Sequence, residues 1–257
     1  MTFVDTHAHI YLEEFEKDLD DIMEISAEKS VERIYMPNID STSIDSMMEV
    51  EHRFQKQTFA MMGLHPCSVK KGFEKELYIV EEWLGKRQFS GVGEIGSDLY
   101  WDKTFWAEQQ EALRIQLGWA ADYKIPAIIH CRESIEETIE IVEAVNSADL
   151  KGIFHCFTGT LDQAEKIIAL GFKIGIGGVS TFKNGGLDKI IPDLSLDDLV
   201  LETDSPYLAP VPFRGKRNDP SNIPLIAERL CSLKSSSMEE VADKTTSLAN
   251  SLFNYDA

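Results

Sequence analysis

The stretch VDTHAHI, residues 4–10, decides how the rest of this chain is read. His7 and His9 stand two apart at the end of a short apolar run with strand character. Side chains along a strand alternate faces, so two residues at that spacing point the same way. Imidazole is the commonest nitrogen donor to divalent metals, and such a pair is suited to share one ion. An HxH also occurs by chance in surface strands, and the other histidines weigh between the two readings. Of six in the chain, His7, His9, His65, His130 and His155 fall at or near the end of an apolar, β-like run. His52, within EVEHRF on a charged helical stretch, does not, and reads as a surface residue.

Working outward, the apolar runs recur with a regular beat. Strands are predicted over residues 3–9, 33–39, 58–66, 91–97, 126–131, 152–157, 172–179 and 199–204. Helical spacing is predicted over 13–29, from about 41, over 74–84 with Gly85 ending it, and over 104–123. Helical patterns also follow the fifth and sixth strands, and two more, over 223–233 and 238–253, close the chain. The strands are continuous apolar runs, as parallel strands covered on both faces should be. Eight of them alternating with helices in 257 residues predict an α/β fold, a single (β/α)8 TIM barrel spanning residues 1–257. The alternative is an open doubly wound sheet. It would usually carry a glycine-rich phosphate turn after the first strand, where this chain has two histidines.

Composition sets outer limits. Hydrophobic residues at 43% and charged residues at 27% suit a soluble globular domain. No apolar run approaches the roughly 20 residues that span a bilayer, and no basic-then-apolar leader opens the sequence. A cytoplasmic protein without a membrane partner is the expectation. Cys67, Cys131, Cys156 and Cys231 lack CxxC spacing and are expected as reduced thiols. Cys131 and Cys156, each directly after a histidine, are expected to pack on the far side of their strands. A net charge of −19 argues against broad adhesion to nucleic acid but leaves room for a substrate held locally.

Barrel enzymes build their sites where the strands end. His7, His9, His65, Glu94, His130, His155 and Asp204 all stand there on this reading. A carboxylate buried near a barrel axis needs a cationic partner, and no lysine or arginine accompanies Glu94 or Asp204 in its strand. Metal is the expected counter-charge. Arg132 follows the fifth strand, and Arg214, Lys216 and Arg217 cluster after the eighth; they are candidates to grip a phosphate backbone, or to pair with nearby acids. Tyr100, Trp101 and Trp106 could stack a base or pack their loop, with Trp106 read as packing.

Six further segments join the first: GLHP at 63–66, GEIGSD at 93–98, IHCRES at 129–134, FHCFTG at 154–159, ETDSPYLAP at 202–210 and RGKRNDP at 214–220. With THAHI at 6–10 they resemble, in order and over nearly the whole chain, the TatD family of metal-dependent deoxyribonucleases. The resemblance implies a metallo-dependent hydrolase barrel with two divalent ions, of magnesium, manganese or zinc. On that pattern His7, His9 and Asp204 hold one ion, His130 and His155 the second, and Glu94 bridges both. It also implies catalytic roles for Glu94 and Asp204, and acid/base or phosphate contact for His65. DNA ends, single-stranded or frayed, would be the substrate, removed from the 3′ side. Ser97 and Leu99 depart from the family's usual leucine and tyrosine around Asp98, which touches substrate contacts rather than the ligands. Two other readings stay open: a two-metal hydrolase of an ester, lactone or amide, and a non-catalytic metal or nucleic-acid binding protein. Amidohydrolase barrels often bridge their metals with a modified lysine on strand four, where this chain has Glu94. A non-catalytic protein would be expected to have lost a ligand, and none of the six is missing.

Overall fold

The computed structural model describes residues 1–255. Eight strands run parallel: β1 (Phe3–Asp5), β2 (Val31–Pro37), β3 (Thr58–Met61), β4 (Val92–Asp98), β5 (Ala127–Arg132), β6 (Gly152–Phe154), β7 (Phe172–Ile176) and β8 (Leu199–Leu201). Continuous ladders join β1 to β3 and β4 to β8. Backbone bonds close both seams. Between β3 and β4, Ser90 N–H donates to Ala60 C=O, Met62 N–H to Gly91 C=O and Gly93 N–H to Met62 C=O, at 3.0–3.1 Å. Between β8 and β1, Thr6 N–H donates to Leu201 C=O at 3.0 Å and Ala8 bridges Ser205. The ring is the predicted barrel.

The helices are α1 (Leu19–Glu28), α2 (Ile44–Arg53), α3 (Glu74–Lys86), α4 (Trp106–Tyr123), α5 (Ile135–Val145), α6 (Leu161–Ala169), α7 (Ile223–Lys234) and α8 (Met238–Leu252). The alternation breaks once: short 3-10 turns connect β7 to β8, and two α-helices follow β8. Local chemistry sets several ends. Thr160 and Gln163 form a reciprocal capping box on α6, and the Ser237 hydroxyl accepts from Glu240 N–H on α8. Two helix expectations need correction. The helix predicted over 13–29 is interrupted, with one 3-10 turn at Glu13–Phe15 before α1, because Asp18 leaves helical geometry at φ −142°, where Arg217 also docks. Gly85 does not end α3, which runs to Lys86; a glycine with open space around it is tolerated in a last turn. No helix among the described residues is long and apolar enough to cross a membrane.

One core lies between strands and helices; a second fills the barrel. Val4, Tyr35, Met61, Ile128, Ile153 and Val200 form that inner layer, covered by Ala249, Leu252 and Phe253 at the end of α8. Tyr35 stacks on Phe253 with centroids 3.7 Å apart. Side chains two positions further along a strand face the same way, so Ile128 leads to His130, Ile153 to His155 and Val200 to Glu202. The apolar floor therefore positions a polar layer above it.

Crowding inside the ring explains Gly96, which has φ +141° and whose added Cβ would lie 1.9 Å from the His130 carbonyl oxygen. Gly96→Ala is expected to cost about 3 kcal/mol or more, because both the backbone region and the space exclude a methyl. The check is a lowered urea midpoint at unchanged slope.

Candidate metal centre

The polar layer converges on one carboxylate. Glu94 is buried, and its two oxygens face different histidine pairs. Oε2 lies 3.2 Å from His7 Nε2 and 3.3 Å from His9 Nε2. Oε1 lies 2.9 Å from His130 Nδ1 and 2.8 Å from His155 Nε2, with His65 Nε2 at 3.3 Å. Asp204 Oδ1 completes the first group, 3.7 Å from His7 Nε2 and 3.8 Å from His9 Nε2. All seven side chains read from the strand ends therefore stand together, although His7, His9, His65, His155 and Asp204 lie just past the observed strands, which end earlier than predicted. β1 ends at Asp5, and it is the seam that aims its two histidines: Asp204 N–H donates to His7 C=O at 2.9 Å and His9 N–H to Ser205 C=O at 2.7 Å.

Within the pairs, His7 Nε2 is 3.2 Å from His9 Nε2, and His130 Nδ1 is 3.3 Å from His155 Nε2. Two nitrogens bound to one tetrahedral ion at about 2.1 Å stand about 3.4 Å apart. Among the described residues no lysine or arginine pairs with Glu94 or Asp204, and only histidines do. The nitrogen–oxygen donor set, its spacing and the missing counter-charge fit divalent metal.

Outer partners fix which nitrogen each ring offers. Tyr11 donates its O–H to Pro37 C=O at 2.5 Å, so toward His9 Nδ1, 2.9 Å away, its oxygen accepts. His9 thus carries its proton on Nδ1 and presents a lone pair at Nε2. His130 directs Nε2 at Asp98 Oδ2, 3.0 Å away, which leaves Nδ1 for the centre. His155 turns Nδ1 toward buried Glu202 Oε1 at 3.6 Å. Gly175 makes that carboxylate possible, since a Cβ there would lie 2.3 Å from Glu202 Oε2. His65 is wired the opposite way: its Nδ1 accepts from Cys67 N–H at 3.0 Å, so Nε2 holds the proton. Although His65, Glu94 and His130 are close enough together to form a donor group, this tautomer makes His65 a hydrogen-bond donor and not a ligand.

Electrostatics follow the same geometry. Burial pushes the Glu94 carboxyl up, but His65, His155 and His7 around it hold it well below the usual carboxylate range. His7 and His155 stack at 3.8 Å, too close for two charged rings. Burial and its neighbour depress His7, while Glu94 and Glu202 overcome burial and raise His155. Burial pushes Asp204 up to about 6.

A cavity of about 910 Å³ opens over this layer, with Arg132, Arg214 and Lys216 in its walls. Arg217 is a correction: it forms a two-pronged ion pair with Asp18 and lies over the Phe15 ring, holding the broken α1 entry instead of the cavity. Cys131 packs against the outer core as expected while also reaching the cavity, whereas Cys156, expected on the far side of its strand, lines the cavity with Cys67. All four cysteines are free thiols, and His52 sits on α2 away from the centre. Asp98, Glu202 and Tyr11 were missed as site residues. Strand alternation from Glu94 to Asp98, and from Asp204 back to Glu202, carried the signal for two of them.

The family model described as TatD related DNase matches residues 4–254. An uncharacterized metal-dependent hydrolase of Bacillus subtilis, YabD, is 35% identical over 97% of this chain and 98% of its own. The metal-dependent hydrolase YjjV of Escherichia coli is 31% identical over 98% of each chain. The crystal structure of that TatD homologue superposes with a TM-score of 0.93 over 99% of this chain and 98% of its own, at 30% identity. A TatD-family hydrolase of Entamoeba histolytica, at 22% identity, shares the fold with a TM-score of 0.84 over 98% of each chain.

Tyr11→Phe removes the acceptor for His9 Nδ1–H and is expected to weaken divalent-ion retention about tenfold or more, measured by competition with a chelating dye. Arg217→Ala is expected to cost about 1 kcal/mol of stability. Its partner Asp18 titrates below the usual carboxylate range when folded, through its bond to Arg217. The contribution is therefore complete at neutral pH and lost as pH falls through that lowered value, which urea melts at two pH values resolve.

Proposed function

The chain belongs to the TatD-related DNase family and is a metal-dependent hydrolase, and we propose that it cleaves phosphodiesters at DNA ends with two divalent ions. The observation carrying this reading is Glu94, each of whose oxygens faces its own pair of imidazole nitrogens. His7, His9 and Asp204 would hold one ion and His130 and His155 the other, with Glu94 between them. When bound, such a pair acidifies water and neutralises the oxygens of a phosphoryl group undergoing in-line displacement.

The chain's own residues do the rest. Asp204, more open to the cavity than Glu94, would take a proton from the attacking water at a carboxylate oxygen. His65 Nε2–H points into the centre and can donate to a phosphoryl or leaving oxygen. Arg132, Arg214 and Lys216 give cationic walls to the cavity of a strongly acidic protein, which suits a polyanion entering locally. A concave site admits a flexible strand end, whereas duplex interior would first have to be unstacked at a cost of a few kcal/mol. Removal from the 3′ side rests on the family resemblance. The ester, lactone or amide reading has no comparable use for the cationic walls, and a non-catalytic binder none for the complete donor set.

Purified protein is expected to retain about two divalent ions per chain and to degrade linear single-stranded DNA but not a closed single-stranded circle, with chelator abolishing both cleavage and retention. Glu94→Ala is expected to lose more metal and turnover than His155→Ala, because the bridge serves both ions. Equal cutting of the circle would make it an endonuclease. Turnover of esters with neither DNA cut would overturn the nuclease reading. Arg214→Ala and Lys216→Ala are expected to raise KM and flatten the salt dependence of DNA binding while metal content stays at the wild-type level.

A further inference from the structure

We propose that Trp101, Tyr100 and Arg132 form a binding subsite for a nucleobase beside the metal centre; this rests on the phosphodiester reading and adds the part of the substrate that is recognised. Trp101 is 68% exposed and yet lines the cavity. Tyr100, also exposed, meets it edge-on, with centroids 4.9 Å apart at 86°. The Arg132 guanidinium stands 3.8 Å from the Tyr100 ring centre and 5.4 Å from that of Trp101. Trp106, five residues after Trp101 at the start of α4, packs instead against the outer core. Loop packing therefore accounts for one tryptophan and leaves the other bare. A free aromatic face beside a guanidinium matches a flat heterocycle joined to a phosphate, and such stacking tolerates any base.

The turn is registered to the centre by a single carboxylate. Asp98 Oδ1 accepts from Tyr100 N–H at 2.8 Å and Trp101 N–H at 3.0 Å, while Oδ2 holds His130 Nε2 at 3.0 Å. Gln109 of α4 steadies the same residue through Asp98 N–H at 2.9 Å. A base on Trp101 would thus lie at a fixed offset from the histidine–carboxylate cluster, which is what selecting one phosphodiester for attack requires. A protein partner would need a broad contiguous apolar face. Here the rings stand among charged groups, Asp98 and the Lys70–Asp102 pair, and Arg132 is the cation that the phosphate of a stacked nucleotide would meet.

The test uses the metal-loaded full chain with single strands whose terminal linkages are cleavage-resistant phosphorothioates, so that binding is read without cleavage. Single strands carry 2-aminopurine at the 3′ or the 5′ terminus, and matched strands carry an abasic terminus. Expected are quenching of 2-aminopurine on binding and an affinity lower by about tenfold for the abasic strand. Trp101→Ala should bind both strands equally and weakly, and Trp101→Phe should recover part of the preference, which a folding defect would not do. Equal binding of both strands by the wild type, binding of neither, or undiminished discrimination in Trp101→Ala overturns the subsite. Strands with ordinary phosphodiester linkages are then supplied. A Trp101-dependent base preference without cleavage keeps the subsite and overturns the nuclease reading. Cleavage that ignores the abasic terminus does the reverse.

Discussion

A carboxylate sealed inside a barrel with no side-chain cation except imidazole is the constraint on which this structure turns. Glu94 cannot be left charged in an apolar interior without compensation, since an unpaired buried charge costs several kcal/mol. Every neighbouring element supplies some. β1 and the loop after it bring His7 and His9 to one oxygen, while β5 and the end of β6 bring His130 and His155 to the other. The seam between β8 and β1 is held by the same backbone that presents Asp204. The geometry that closes the barrel and the geometry that gathers donors are one arrangement.

The outer partners add an asymmetry that the donor list alone conceals. Five histidines crowd one small volume, but their hydrogen bonds give them different chemistry. Tyr11 and Asp98 hold the protons of His9 and His130 away from the centre, while the Cys67 amide forces the proton of His65 toward it. One ring is therefore a donor to an incoming oxygen among rings that offer lone pairs. Position along the strand decides which residues arrive, and the partners behind them decide what each can do.

How much of this the sequence disclosed depends on the range of each interaction. The strands were legible because buried parallel strands are apolar throughout, and the donors because strand ends point one way around a ring. Asp98 and Glu202 share the parity of the ligands beside them, but nothing local separates an outer partner from a ligand. Tyr11 had no local signal, since the carbonyl that orients its hydroxyl lies 26 residues away. Arg217 carried a misleading one: it sits in a basic cluster, yet its partner Asp18 is 199 residues distant, at the break in the helix expected over 13–29. Periodicity reports burial, and only folding reveals which distant charge meets which.

The plug beneath the barrel has a consequence for how the molecule matures. The inner layer is covered from below by the last turn of α8, which follows every other described element in the chain. Vectorial synthesis therefore delivers all the strands, and every donor they carry, before the residues that close the base of the ring. Until Phe253 seats against Tyr35, the apolar floor beneath the histidines and carboxylates is uncovered from below. The donors are thus made before the floor that positions them is packed, so their final spacing is fixed by the last residues of α8.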